Sequence, residues 1–230
     1  MSIRNNTWNL DGHYDLTKDG QNTYSDTTEL PGPYELFTSG YENQGQLGTG
    51  GNGVQRSSPY QVSGTAWSRV AAGSNNSYGL KTDNTLWSWG YGGSGQLGVN
   101  DTVPRSSPIQ VPGTQWQTIA AYQHSYATKT DGTAWAWGDN SAGELGQNTQ
   151  AINYSSPRQI PGNQWAYFAT NDATAVATKT DGTLWVFGEN NKGEAGQNDT
   201  APRSSPVQVP GTQWDYSDVR KISVGRHDHI

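Results

Sequence analysis

Hydrophobic and polar positions between Trp67 and Gly90 fall into short blocks separated by turn residues rather than into helical stripes. Val70-Ala71-Ala72 stops at Gly73, Tyr78-Gly79-Leu80-Lys81-Thr82 stops at Asp83-Asn84, and Thr85-Leu86-Trp87-Ser88-Trp89 stops at Gly90. Successive side chains of a strand point to opposite faces. Trp87 and Trp89 therefore share one face, as do Trp135 and Trp137, and Trp185 and Phe187. Asp83-Asn84, Asp131-Gly132 and Asp181-Gly182 precede these strands at one repeated site. Asp-Gly accepts the positive φ angles of a tight type I′ turn, so each site predicts a β-hairpin. Amphipathic helical spacing is absent, and Gly and Pro recur too often for any long element.

The blocks repeat along the chain. Trp67, Trp116, Trp165 and Trp214 lie 49 residues apart, and so do Pro59, Pro108, Pro157 and Pro206. Between them runs a glycine-rich segment: Gly40 to Gly45-Gln46-Leu47-Gly48, Gly90 to Gly95-Gln96-Leu97-Gly98, Gly138 to Gly143-Glu144-Leu145-Gly146, and Gly188 to Gly193-Glu194-Ala195-Gly196. A fixed period of this length predicts a solenoid, a propeller or an array. Short antiparallel strands select an all-β, propeller-type array of four-stranded blades. Residues 67–115, 116–164 and 165–213 are complete units, while 35–66 and 214–230 hold a second and a first half. The two halves can join into a fourth blade of a closed ring, complete an open arc by oligomerisation, or belong to a larger propeller. Residues 1–34 read as a docking segment or a degenerate half-repeat.

Glycine in the Gly-Gln-Leu-Gly loop gives backbone room where one blade passes the next, and Leu47, Leu97 and Leu145 plug the gap. Val111-Pro112-Gly113, Ile160-Pro161-Gly162 and Val209-Pro210-Gly211 end a strand before the next Trp, with Val62-Ser63-Gly64 at the same site. Few Ile, Leu and Phe remain to build a core, so the buried area is expected from aromatics. Trp67, Trp87, Trp89, Trp116, Trp135, Trp137, Trp165, Trp185 and Trp214 are the predicted inter-blade residues.

Trp-Gly-(x)4-Gly-Gln-Leu-Gly with an upstream Thr-Asp-Gly-Thr-Leu-Trp hairpin resembles the regulator of chromosome condensation repeat family over residues 35 to 230. The resemblance implies blades of about 50 residues, usually seven to a ring. It also implies varied roles: an exchange factor for a small GTPase that binds chromatin, ubiquitin-ligase modules, a plant ultraviolet-B photoreceptor and a bacterial β-lactamase inhibitor. The photoreceptor's Gly-Trp-Arg-His-Thr signature is missing here, where Gly225-Arg226-His227 is a partial echo.

Composition narrows the chemistry. The chain of 230 residues carries 29 Gly, 10 Trp and 12 Tyr but only 15% charged residues, so its surface is polar through Asn, Gln, Ser and Thr. A net charge of −6 argues against nucleic-acid binding, and zero Cys excludes disulfides, zinc-thiolate sites and thiol catalysis. No apolar run has the length of a membrane span or of a signal-peptide core. His13, His124, His227 and His229 do not follow the period, and His124 stands where other units have Asn76 and Thr174. His227-Asp228-His229 offers metal-ligand types, but one pair near a chain end does not make a site. Asp83, Asp131 and Asp181 read as turn caps, and Gln46, Gln96, Glu144 and Glu194 interchange at one position. No metal, cofactor or catalytic set is expected.

Arg56, Arg105 and Arg203 recur ahead of Ser-Ser-Pro, whereas the third such segment has Tyr154-Ser155-Ser156-Pro157-Arg158. These Arg residues, with Tyr41, Tyr91 and Tyr154 at loop ends, form the candidate interaction face, because aromatic and Arg side chains dominate interface energetics. The Arg stems equally serve to cover neighbouring aromatics while the Ser pair satisfies loop amides. The expected role is a non-enzymatic binding or structural module on a large assembly. A virion or tail fibre assembled in the cytoplasm is the first candidate, contacting protein or surface glycan as a homo-oligomer. The alternative is an intracellular propeller that regulates a GTPase or an enzyme.

Overall fold

The computed structural model describes residues 34–51, 53, 55–214 and 222–224. The segment read above as a docking piece or half-repeat lies, save for Tyr34, outside the described residues, as does the His227-Asp228-His229 cluster. Fourteen strands and no helix are present among the described residues.

The first complete unit supplies β3 (Trp67–Ala72), β4 (Asn76–Lys81), β5 (Leu86–Gly90) and β6 (Arg105–Gln110), hydrogen-bonded in that order into one antiparallel sheet. The second supplies β7 (Trp116–Ala121), β8 (His124–Lys129), β9 (Ala134–Gly138) and β10 (Tyr154–Gln159) in the same arrangement. The third supplies β11 (Trp165–Thr170), β12 (Thr174–Lys179), β13 (Leu184–Gly188) and β14 (Arg203–Val209). Before them, β1 (Leu36–Gly40) and β2 (Arg56–Val62) pair as the third and fourth strands of a partial blade. Proline explains part of this order. Pro59, Pro108, Pro157 and Pro206 all sit in the fourth strand, which has one neighbour only, so the missing N–H breaks no inner ladder. The first strands β3, β7 and β11 contact one another from blade to blade and form the inner edge.

The hairpin turn differs from the sequence expectation. Asn84, Gly132 and Gly182 have positive φ, but the Asp before each does not. Asn84 N–H donates to Lys81 O at 3.0 Å and Lys81 N–H to Thr85 O at 2.9 Å. This is a three-residue Thr-Asp-Asn/Gly loop with one left-handed residue, not a two-residue type I′ turn. The Asp side chain drives the choice: Asp83 Oδ1 accepts both the N–H of Thr85 at 3.0 Å and its hydroxyl at 2.6 Å. Asp131 and Asp181 repeat both bonds with Thr133 and Thr183.

The core is a series of slabs between blades. Val62, Trp67 and Trp89 form one; Tyr78, Leu80, Leu86, Val111, Trp116 and Trp137 form the next; Tyr126, Leu145, Ile160, Trp165, Phe168 and Phe187 form the third. Edge-to-face contacts fill them, with ring centroids 5.9 Å apart for Trp67–Trp89 and 6.1 Å for Trp116–Trp137. Ile222 and Val224 lie against Val176 and Leu184 on the last blade, as Phe168 lies on Tyr126 one blade earlier. Trp214 differs from the other repeat tryptophans: it is 39% exposed.

The first three glycine-rich loops staple their own blades to the next. Trp89 Nε1 donates to Gln46 O at 3.0 Å across the boundary, and Trp137 Nε1 to Gln96 O at 2.7 Å. Gly50, Asn100 and Asn148 donate their N–H groups at 2.7 Å to the carbonyls of Ser106, Ser155 and Ser204 in the next fourth strand. Gly48 and Gly98 have left-handed φ and lie so close to the next blade that a Cβ on either would stand 2.7 Å from Trp89 or Trp137 Nε1. Leu97 and Leu145 are wholly buried beneath these loops.

Candidate interaction surface

Two ends of the blades differ in chemistry. At the hairpin end, Lys81 Nζ lies 4.9 Å from the Trp67 ring and 4.5 Å from the Trp87 ring. Lys129 sits likewise between Trp116 and Trp135, and Lys179 between Trp165 and Trp185. Burial lowers the Lys179 ammonium below the usual lysine value. Trp87 Nε1 donates to Thr85 Oγ1 at 3.0 Å, so an Asp–Thr–Trp relay runs through each turn, repeated at Trp135 and Trp185. The hydrogen bonds from Thr hold the Asp83, Asp131 and Asp181 carboxyls below their ordinary range. The lysine ammonium groups and the Trp87, Trp135 and Trp185 indole N–H groups at this end are thus engaged within the blade, whereas Trp116 and Trp165 bury Nε1 atoms without a hydrogen-bond partner among the described residues.

The opposite end gathers the turns between first and second strands and the loops after the third strand. Asn140 holds its loop through two bonds of 3.0 Å: its Oδ1 accepts from Leu145 N–H and its Nδ2 donates to Thr149 O. Asn190 does the same with Ala195 and Ala201. Gln46, Gln96, Glu144 and Glu194 each accept, at 2.8 Å, the N–H two residues upstream. Any side-chain oxygen of that length serves, which explains the Gln/Glu interchange. Burial raises the Glu144 carboxyl above its usual value.

The candidate face lies at this end. Arg105 Nη2 contacts Asp101 at 2.6 Å and Arg203 Nη2 contacts Asp199 at 2.5 Å, each pair four residues apart in its own loop. Arg56 lies 4.4 Å above the Tyr60 ring, and Arg158 lies 4.9 Å above that of Tyr154. The three aligned guanidinium groups are therefore engaged locally. Tyr41 is 58% exposed, while Tyr91 and Tyr154 are half-buried. Ser156 and Ser205 hydroxyls donate to Asn100 and Asn148 of the preceding loop at 2.8 and 3.3 Å.

His124 is fully buried, its Nε2 2.5 Å from Thr170 Oγ1 on the next blade. Burial pulls its pKa down to about 3, so the ring is neutral and packs edge-on to Tyr126. Sequence reasoning passed over two sets of residues. The caged lysines were legible as the repeated Lys-Thr-Asp of 81–83, 129–131 and 179–181, and the loop-holding Asn as Gly138-x-Asn140 and Gly188-x-Asn190. In the first two units Glu42 and Gly92 stand at the Asn position, which masked the second pattern.

Family models for the regulator of chromosome condensation (RCC1) repeat match residues 67–96, and 83–127, 131–174 and 181–227. A human protein described as a probable E3 ubiquitin-protein ligase, HERC3, is 36% identical over 70 residues, which are 29% of this chain and 7% of that protein. Among solved structures, Prp20p of Saccharomyces cerevisiae superposes with a TM-score of 0.68 at 21% identity, over 77% of this chain and 47% of that one. Human WBSCR16 superposes with a TM-score of 0.67 at 23% identity, over 76% and 47%. The chain thus spans about half the length of these solved relatives.

Proposed function

Because this chain belongs to the regulator of chromosome condensation (RCC1) repeat family, we propose that it is a non-enzymatic module that docks a protein partner on its loop end. The partner is of the regulatory class, a small GTPase, an enzyme or a chromatin protein. Yeast Prp20p binds Gsp1p and histones, and Kap60 binds it as well. These partners are Prp20p's own, and they favour the regulatory reading over the virion one. Nothing in the comparisons supports a virion, tail-fibre or adhesin role, a homo-oligomer or glycan contact.

The observation that carries the proposal is the contrast between the two ends. At the hairpin end the lysines and the third-strand indoles are held by cages and relays, and Trp116 and Trp165 are buried. At the loop end the backbone is fixed by Asn140, Asn190 and the Gln/Glu bonds while Tyr41 stands exposed. A pre-set backbone presenting unspent side chains lowers the ordering cost of binding.

The test is to measure binding of the full chain to a small GTPase, with and without nucleotide, and to core histones. Tyr41→Ala/Tyr91→Ala protein is compared with Asp131→Asn, which alters the other end. At least tenfold weaker binding of the double variant, with Asp131→Asn unaffected, is expected. No binding to any of these partners, or equal sensitivity at both ends, overturns the proposal.

A further inference from the structure

A crevice of about 220 Å³ lies at the loop end, between the first and second complete blades. Asn75 and Asn76 come from the turn of one blade, Tyr122 and Gln123 from the turn of the next, and Tyr91 and Gln96 from the intervening loop. The backbone sets these residues firmly. Tyr91 N–H donates to Asn75 O at 2.8 Å, Tyr122 N–H to His124 O at 2.9 Å, and Ser94 N–H to Gln96 Oε1 at 2.8 Å. Gly93 leaves open the space that the Tyr91 phenol occupies.

The lining is uncharged throughout, and part of its hydrogen-bonding capacity is spent within it: Gln96 Oε1 accepts from Ser94 N–H and Asn75 Nδ2 donates to Ser74 Oγ at 3.5 Å. Asn76 is buried, at 3% exposure, and its Oδ1 has no partner among the described residues. Tyr91, Tyr122 and Gln123 line the crevice and are half-buried. A buried polar atom without a partner carries a desolvation cost that a ligand hydrogen bond removes. The corresponding crevice on the third blade, about 320 Å³, has the charged residues Asp172, Glu189, Lys192 and Glu194 instead. Blade repetition alone therefore does not produce the neutral lining.

We propose that the crevice between the first two complete blades binds a neutral polyhydroxylated ring, a monosaccharide unit of a glycan. Carboxamides that both donate and accept, flanked by two phenols, match a ring that presents hydroxyls at its edge and C–H groups on its faces. The volume, below the ~300 Å³ of drug-sized sites, suits one ring. A charged ligand finds no counter-ion in the lining. The crevice shares Tyr91 with the proposed docking face, but its test reads sugar binding alone, so it stands if the docking proposal falls.

The experiment is an NMR titration of the full chain, backbone amides observed, with glucose, galactose, mannose and N-acetylglucosamine at millimolar concentrations. A tripeptide of glycine and asparagine serves as the competing class. Saturable shifts from at least one sugar, confined to residues 74–76, 91–96 and 122–123, are expected. Tyr91→Ala/Gln123→Ala is expected to weaken binding at least tenfold. Tyr91→Phe/Tyr122→Phe keeps both rings, guards against misfolding, and is expected to weaken it several-fold. Shifts that are absent, linear in sugar concentration, equal at the acidic crevice, or produced only by the peptide overturn the proposal.

Discussion

Replacing Gly98 by Ala isolates the contact between neighbouring blades, because Gly196 supplies an internal control. Both glycines are left-handed, with φ of +69° and +60°. Moving a non-glycine residue into that region costs roughly 1–2 kcal/mol, equally at both sites. At Gly98 the new methyl would also stand 2.7 Å from Nε1 and 2.9 Å from Cδ1 of Trp137. Trp137 is wholly buried and bonded to Gln96 O, so it has no room to turn away. Overpacking of this kind costs roughly 1–3 kcal/mol more. At Gly196 the nearest atom is Val209 Cγ1 at 3.9 Å, and no such addition arises. Thermal melts should therefore place Gly98→Ala below Gly196→Ala by about 2–12 °C, using ~2–4 °C per kcal/mol for a chain of this size. Gly146→Ala, 3.3 Å from the Phe187 ring, should fall between them. Equal losses at Gly98 and Gly196 would refute the stapling argument.

Other perturbations test the remaining electrostatics and packing. His124 has a folded pKa of about 3 against 6.5 unfolded, so its stability contribution is complete above about pH 6.5 and lost as the pH falls towards 3. His124→Asn, borrowing the residue at Asn76, should flatten that part of the stability-versus-pH curve, whose slope from one proton is at most about 1.4 kcal/mol per pH unit. For Glu144 the sign is opposite: the folded carboxyl is raised, so its contribution is present at low pH and lost as the pH rises through the folded value. Glu144→Gln should raise the urea midpoint at neutral pH, with the gain shrinking below the carboxylate range. Lys129→Met keeps the stem but removes the cation from between Trp116 and Trp135; a loss of about 0.5–2 kcal/mol is expected in urea melts. Arg105→Ala breaks a partly exposed pair within one loop and should cost about 1 kcal/mol in the same assay.

The sequence declares the blades because a 49-residue beat of Trp, Pro and Gly leaves few alternatives to repeated short sheets. Trp89 and Trp137 were legible as inter-blade residues, since their strands alternate and the glycines ahead of them make room. The exact hairpin was less legible: Asp-Gly suits both two-residue and three-residue turns, and the Thr hydroxyl that selects the longer loop lies two positions beyond the Asp. The loop end was hardest to read. Arg105 and Asp101 are four residues apart inside an irregular loop, where no period says that they meet. The neutral crevice draws on two blades, and its residues come together only when the glycine loops set the spacing between sheets.

Hydrogen exchange of the tryptophan indole N–H groups, followed by NMR in the full chain, tests that spacing most directly. The account predicts that the Trp89 and Trp137 indole protons, donated across blade boundaries to Gln46 O and Gln96 O, exchange only on global unfolding. Exchange of both at the rate of the exposed Trp214 indole would mean that the loops do not join the blades.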